Sequence, residues 1–302
     1  MLWKLQEIKI QPDVIFNING FQITNTLIGT WLSIIVLIVL FYFGTRKREL
    51  IPSGLQNAVE WIVEYLLSLA QSVAGKDKGR KFFPLVATFF IFILFCNLLD
   101  VFPGVETFGW INLTALSAAH LPPPTSIFLF GDYSNKIAPW IRPGTSDLNL
   151  TLAMALVSVI TTQAFGFYSL GWREQLGKYF NFRALFKFNF QGFIEFFVGI
   201  LELVTELSRI LSFSFRLFGN VFAGGAVLAV FAFILPFAAD IVFIPFELFI
   251  AFVQALIFSL LTLVFLEIAT TSYKEVETEE EARKQVARNE REAEDREAVR
   301  AG

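Results

Sequence analysis

The stretch Leu203–Gly225, LVTELSRILSFSFRLFGNVFAGG, decides how this chain folds and where its function lies. It is apolar enough for a lipid bilayer, yet it carries ionisable and amide side chains. At 100° per residue along an α-helix these polar residues share one side, and the rest of the surface is mostly Leu, Ile, Val and Phe. A charge at bilayer depth costs roughly 2.5–3.5 kcal/mol, so such a stripe requires a partner, a water-filled passage or both. This polar stripe comprises Glu202, Glu206, Arg209, Arg216 and Asn220.

The composition predicts an all-α integral membrane protein. The chain has 302 residues, of which 55% are hydrophobic and 17% charged, against about 25% charged in soluble domains. The sequence has long continuous apolar runs, as membrane helices do. It lacks the segments of about ten residues with alternating apolar and polar side chains that are typical of a membrane β-barrel. We therefore expect about five to six membrane helices in a single membrane domain over residues 1–273, followed by a charged cytoplasmic tail over residues 274–302.

The same composition disfavours catalytic and cofactor chemistry. The chain has one cysteine, Cys96, and one histidine, His120, which is too few for a disulfide or a typical zinc site. We find no phosphate-binding glycine loop, no dinucleotide fingerprint and no nucleophile elbow. The sequence predicts a protein that is not an enzyme by itself, has no cofactor or metal, and has no nucleic-acid partner.

Three apolar segments have the length of single membrane spans, and basic clusters orient them. Basic residues at 45–48, 75–81 and 172–187 mark the cytoplasmic ends, because cytoplasmic loops are enriched in Lys and Arg. This places the N-terminus outside and the C-terminus in the cytoplasm. A long external loop, Gly104–Ser146, has no clear span. The three spans are Thr26–Phe43, Phe82–Leu99 and Asp147–Gly171.

Other segments do not fit an upright span. Pro52–Ala74 interleaves polar and apolar residues and predicts an amphipathic helix at the membrane interface. Phe190–Ala232 and Pro236–Tyr273 are too long, since a helix of about 35 residues spans roughly 50 Å against an apolar core of about 30 Å. Either each breaks into two spans, or the pair forms a long, strongly tilted hairpin that turns at Leu235-Pro236. The tail, Lys274–Gly302, predicts a solvated helix.

The residues Ser214–Gly224, SFRLFGNVFAG, resemble the signature of subunit a of the F-type ATP synthase, the membrane stator that faces the rotating c-ring. The RLFGN core inside a long, polar-striped membrane helix is highly specific. The resemblance extends over about residues 12–273. Further similar segments are Pro52–Glu60, Arg80–Leu85, Asn97–Pro103, Asp147–Ala153 and Val253–Phe258.

This resemblance implies a proton-translocating stator in a bacterial plasma membrane, with the c-ring, the peripheral-stalk subunit b and membrane lipid as partners. Two offset aqueous half-channels would lead to and from the ring carboxylate, and Arg216 would separate them. Arginine suits that role because it stays charged when buried, where lysine can become neutral. The other implied residues are Asn220 and Gln254 beside Arg216, Glu247, Asp147 and Asn149 in the outer half-channel, and Glu202 with Glu206 in the inner one.

One departure from the family pattern concerns a carboxylate. Many relatives have a carboxylate directly after the Ala-Gly that follows RLFGN, where this chain has Gly225. Many of those relatives carry a histidine seven residues before the glutamine of the last helix, where this chain has Glu247. If the two positions face one aqueous cavity, the proton-accepting group is retained and only its helix of origin changes.

Two other functions remain open from the residues alone. A stand-alone ion channel or secondary transporter would be expected to show inverted repeats with paired broken helices, and we find none. A membrane anchor or assembly subunit would use Arg216 for assembly only. Glu206 is equally well explained by an ion pair with Arg209, and Asp100 by a position at a helix end.

Overall fold

A computed structural model describes residues 11–46, 54–102, 109–111, 137–172, 175, 190–234, 238–271 and 285, to which every structural statement here refers. These residues form six long helices and two small antiparallel hairpins. The helices are α1 Asn25–Arg46, α2 Leu55–Ala74, α3 Lys76–Val101, α4 Leu148–Leu170, α5 Phe190–Ile234 and α6 Ala238–Thr270. The strands are β1 Val14–Ile18, β2 Phe21–Thr24, β3 Gly109–Ile111 and β4 Ile137–Pro139, and a 3₁₀ turn covers Gly144–Ser146.

The all-α membrane class is confirmed. Five helices, all except α2, contain a window long and apolar enough to cross a membrane. In α2 the buried side chains recur at helical spacing along one face, whereas Glu60, Trp61 and Glu64 on the other face are exposed. Such a helix is amphipathic, as the sequence predicts for the interfacial segment. The buried residues are Val59, Leu66, Ala70 and Ala74.

The basic segment at residues 75–81 is not a loop, and this corrects the sequence-based expectation. Gly75, with a positive φ of 76°, is the only residue between α2 and α3. A Cβ at Gly79 would lie 2.6 Å from the carbonyl oxygen of Ala70, so the first turns of α3 press directly on α2. The helix begins at Lys76 because this close contact leaves no room for a loop.

The two long apolar segments are continuous, so the expectation that each breaks into two spans is wrong. Helix α5 runs for 45 residues and α6 for 33. A break within lipid would leave backbone N–H and C=O groups without hydrogen bonds, whereas one continuous helix satisfies them. The alternative of two long consecutive helices agrees with these bounds. Their strong tilt stays a prediction, and the Leu235-Pro236 turn and the charged tail fall outside the described residues.

The sequence-based prediction did not include the hairpins. Strands β1 and β2 pair around Asn19 and Gly20, whose φ angles are 51° and 89°. Asn-Gly is the preferred pair for a two-residue turn with both φ angles positive, because its twist matches that of the strands. The second hairpin pairs β3 with β4 inside the predicted external loop.

The chain divides into two units by contact density, with boundaries inside α4, α5 and α6. Unit 1 comprises residues 1–159 and 206–263, and unit 2 comprises residues 160–205 and 264–302. Ring contacts build the core of unit 1, where Phe258 of α6 lies 5.2 Å from Phe89 and 5.0 Å from Phe213 between ring centroids. In unit 2, Gln175 Nε2 donates to Gln163 Oε1 at 2.9 Å. The single membrane domain over residues 1–273 stays a prediction.

Candidate functional site

Arg216 lies on the outward face of α5. Its side chain is exposed, whereas the neighbouring Phe213 and Leu217 on the same helix are 3% and 0% exposed. Its Nη2 donates to Ser212 Oγ at 3.4 Å, which is long for a hydrogen bond. Within the described part of the chain this is the one polar contact of the guanidinium. The charge therefore faces a surface that this chain leaves uncovered.

The surface next to Arg216 is formed by small residues. A Cβ built at Gly219 meets no atom within 4 Å. Ala223 is exposed and lies one turn after Gly219. Small side chains allow the backbone of a second membrane helix to approach closely.

Asn220 and Gln254 form a direct contact between α5 and α6. Asn220 Nδ2 donates to Gln254 Oε1 at 2.6 Å, and Gln254 is only 4% exposed. Asn220 lies one helical turn after Arg216, so this bond fixes an amide group next to the arginine. The structure thus brings together two of the residues that the sequence places beside Arg216.

A small crevice adjoins this amide pair. Its volume is about 30 Å³, which is room for about two water molecules at roughly 10–15 Å³ of such volume each. Residues from α3, α5 and α6 line it, so it belongs wholly to unit 1. Its polar lining residues are Asn97, Asp100, Asn220, Glu247 and Gln254.

The sequence-based site did not include Asn97 or Asp100. Asn97 is 4% exposed, and its Oδ1 atom is buried without a hydrogen bond among the described residues. Asp100 lies near the end of α3, as expected, but it also lines the crevice. The sequence did contain a signal for this site: Asn97 and Asp100 are polar residues three positions apart at the end of an apolar span. Their contribution depends on how α3 packs against α6, which the sequence alone does not reveal.

Glu247 lies against the α5 segment that contains Gly224 and Gly225. A Cβ built at Gly224 would be 3.2 Å from Glu247 Oε1, so the carboxylate directly faces this segment. Glu247 is half-buried and lines the same crevice as Gln254, seven residues further along α6. The carboxylate therefore faces Gly224, next to Gly225, where the resemblance implies a carboxylate in the family pattern.

Asp147 links the start of α4 to the start of α1. Its Oδ1 accepts a hydrogen bond from the backbone N–H of Asn149 at 2.9 Å, as the cap of a helix does. Its Oδ2 accepts a hydrogen bond from Thr26 Oγ1 at 2.9 Å. The Asn149 side chain is exposed. Asp147 therefore has a structural role in addition to the role implied by the resemblance.

The two acidic residues assigned to the inner path differ in their surroundings. Glu206 Oε2 lies 3.0 Å from Arg209 Nη1, and the two side chains are 19% and 14% exposed. This is the ion pair that the sequence left open as an alternative for Glu206. Glu202 is half-buried and belongs to unit 2.

These features define a class of protein: a multi-span helical membrane protein with an exposed charge and a polar crevice on its apolar helices. Comparison with known proteins identifies the family. The family model "ATP synthase A chain" matches residues 27–267, and the chain belongs to this family.

Curated relatives named ATP synthase subunit a match most of the chain. The protein from Moorella thermoacetica is 29% identical over 257 residues, which are 85% of this chain and 95% of that protein. The protein from Gloeobacter violaceus is 31% identical over 79% of this chain and 80% of its own length. The protein from Campylobacter jejuni subsp. doylei is 30% identical over 80% of this chain and 87% of its own length.

Membership in this family gives the chain its general function. It is a proton-translocating stator subunit of an F-type ATP synthase, and it is not itself catalytic. The chain is a multi-pass protein of the bacterial inner membrane, because its described residues contain five candidate spans and its relatives are bacterial.

Proposed function

We propose that Arg216 separates two offset aqueous half-channels and drives the deprotonation of the c-ring carboxylate that passes it. The exposed position of Arg216 on a largely apolar membrane helix, with one weak polar contact to its side chain among the described residues, is the observation that carries this proposal. A charge at this depth costs roughly 2.5–3.5 kcal/mol if it faces lipid. A partner that brings a carboxylate to the arginine removes that cost, which supports a c-ring on this face.

The chemistry of the proposal depends on a charge that does not titrate. A ring carboxylate that arrives from lipid is protonated, because an isolated charge there is too costly. Beside Arg216 the ionised form becomes favourable, and the proton leaves into one half-channel. The same fixed positive charge repels protons, so it prevents direct flow from one half-channel to the other. Arginine supplies this charge, since it stays protonated where a buried lysine can become neutral.

The small residues beside Arg216 support close approach of the ring. Gly219 and Ala223 follow Arg216 at roughly one-turn spacing, and open space lies over Gly219. A helix of the ring that packs here brings its carboxylate within reach of the guanidinium. The peripheral-stalk subunit b would bind elsewhere on the chain.

The crevice between α3, α5 and α6 supports an outer half-channel. Glu247 is the group that would accept and release protons there, with Gln254 and Asn220 leading to Arg216. The closeness of Glu247 to Gly224 supports a transfer of the family's carboxylate from α5 to α6. We add Asn97 and Asp100 to this path, because both line the crevice. Asp147 and Asn149 would mark its entrance.

The inner half-channel is assigned to Glu202, with a weaker contribution from Glu206. The ion pair, with 3.0 Å between Arg209 Nη1 and Glu206 Oε2, competes with any proton-carrying role of Glu206. The described residues contain five candidate spans, and an odd number of crossings would place the termini on opposite sides. The basic clusters then favour an external N-terminus and a cytoplasmic C-terminus.

ATP-driven proton pumping in vesicles that carry the assembled complex tests the proposal. We expect Arg216→Ala to abolish pumping while subunit content stays normal, because the ring carboxylate loses its counter-charge. The matched control is Arg46→Ala, which removes a positive charge at the end of α1, outside the proposed path, and should keep most pumping. Normal pumping in a fully assembled Arg216→Ala complex would refute the proposed role.

A further inference from the structure

The β1–β2 hairpin has one apolar face and one amide face. Residues directly opposite in an antiparallel pair share a face, and successive residues alternate between faces. The pairs Phe16↔Ile23 and Ile18↔Phe21 therefore form one apolar face. The pair Asn17↔Gln22 belongs to the other face.

The described residues of the chain leave most of the apolar face exposed, although Ile23 is half-buried. Phe16, Ile18 and Phe21 are 53%, 59% and 63% exposed. A two-stranded hairpin is marginally stable in water by itself and requires packing against another surface. The three large side chains are therefore positioned for an apolar environment outside this chain.

The hairpin is held at the end of a membrane span. Strand β2 ends at Thr24 and α1 begins at Asn25, with no linker between them. The backbone N–H of Asn25 also donates to the carbonyl oxygen of Asp13 at 3.1 Å, which anchors the start of the hairpin to the same point. Along α1 the side chains of Trp31 and Ile35 are 51% and 58% exposed, as expected for a lipid-facing surface. The hairpin is thus fixed directly at the end of a candidate membrane span that has exposed apolar side chains of its own.

We propose that the β1–β2 hairpin lies in the membrane–water interface, with its apolar face, Phe16, Ile18, Phe21 and Ile23, against the lipid. Residues 14–24, VIFNINGFQIT, contain no charged side chain, so the hairpin offers no ion-pairing group to a charged protein partner. The strands also have unpaired edges, which are not tolerated within the hydrocarbon but are hydrated at the interface. The amide face, Asn17 and Gln22, then points to water.

Site-specific spin labels on the assembled complex in lipid nanodiscs test this placement. Cys96, the only cysteine, is buried and is replaced by Ala, so a new cysteine is the only labelled position. Phe21→Cys and Gln22→Cys are a matched pair of neighbours on opposite faces. We expect oxygen, which concentrates in lipid, to relax the label at 21 more than a water-soluble nickel chelate does. The label at position 22 should be relaxed more by the nickel chelate than by oxygen.

Two results would overturn the proposal. Nickel-dominated relaxation at both positions would place the hairpin in water, and protection of position 21 from both reagents would indicate a covering protein subunit. Because the substitutions can disturb the hairpin, the unmodified complex provides a second measurement. A lipid with a photoreactive group near its headgroup should form adducts within residues 14–24, and their absence would also contradict the proposal.

Discussion

At the scale of single residues, the position of one carboxylate is the feature most open to experiment. Glu247 reaches α5 at Gly224, next to the position where many relatives carry their own acidic residue. Its distance to the Cβ position of Gly224 is 3.2 Å, whereas a Cβ at Gly225 has open space around it. The crevice is lined by Gly224 and Glu247, so the α6 carboxylate is the one that reaches it in this chain.

We predict that Glu247→Gln lowers ATP-driven proton pumping by at least about tenfold, because positioned proton-transfer groups contribute roughly 10²–10⁴-fold to such steps. Adding Gly225→Glu to this variant should restore a substantial part of the rate, since the space at Gly225 admits the longer side chain. Gly225→Glu alone is the control for harm caused by the new residue. If pumping in Glu247→Gln equals that of the wild type, Glu247 is not in the path.

Asp147 illustrates how a residue implied by resemblance can also be structural. We predict that Asp147→Ala destabilises the chain by about 1 kcal/mol, the usual loss when a helix cap is removed. Asp147→Asn should keep most of this stability, because its amide oxygen accepts the same hydrogen bond from Asn149. The measurement is the temperature at which the chain leaves the detergent-solubilised complex. An equal loss in both variants would mean that the charge, not the cap, stabilises this region.

At the scale of helices, buried hydroxyl groups join α4 to its neighbours. Ser158 Oγ and Thr262 Oγ1 lie 2.8 Å apart, and both residues are fully buried. Thr151 Oγ1 similarly lies 3.2 Å from Ser214 Oγ of α5, two residues before Arg216. Such bonds matter in membranes, where apolar burial does not drive helices together.

A double-mutant cycle with Ser158→Ala and Thr262→Val should give a coupling energy of about 0.6 kcal/mol, and at most about 1.7 kcal/mol. Detergent-induced unfolding of the purified complex provides the free energies. Thr45→Val is a matched control, since the Thr45 hydroxyl bonds to the carbonyl oxygen of Phe41 in its own helix. A coupling energy of zero would show that the two hydroxyl groups act independently.

Span positions could be predicted from the sequence because apolar length alone determines them. The predicted spans Thr26–Phe43 and Asp147–Gly171 agree with α1 and α4 to within a few residues. The start of α3 could not be predicted, since it depends on the contact of Gly79 with α2. The resemblance implied that Asn220 and Gln254 lie beside Arg216, but their direct hydrogen bond was not predicted. Asn97 joins the crevice only through tertiary packing.

At the scale of the whole molecule, the chain is a stator that is incomplete without a partner. Among the described residues, other helices cover Phe213 and Leu217 but leave Arg216 exposed, so the face of α5 that carries Arg216 lies at the surface. The family's membership in the ATP synthase complex agrees with this arrangement. The central claim is therefore that the exposed face of α5 contacts the c-ring.

Disulfide cross-linking tests that claim most directly. Ser212 and Ser214 lie two residues apart on α5, and the first is exposed on the Arg216 side whereas the second is 1% exposed. With Cys96 replaced by Ala, we predict that Ser212→Cys forms a disulfide with a cysteine in the outer helix of the ring, and that Ser214→Cys does not. Failure of Ser212→Cys to cross-link at any ring position in an assembled, active complex would contradict the account.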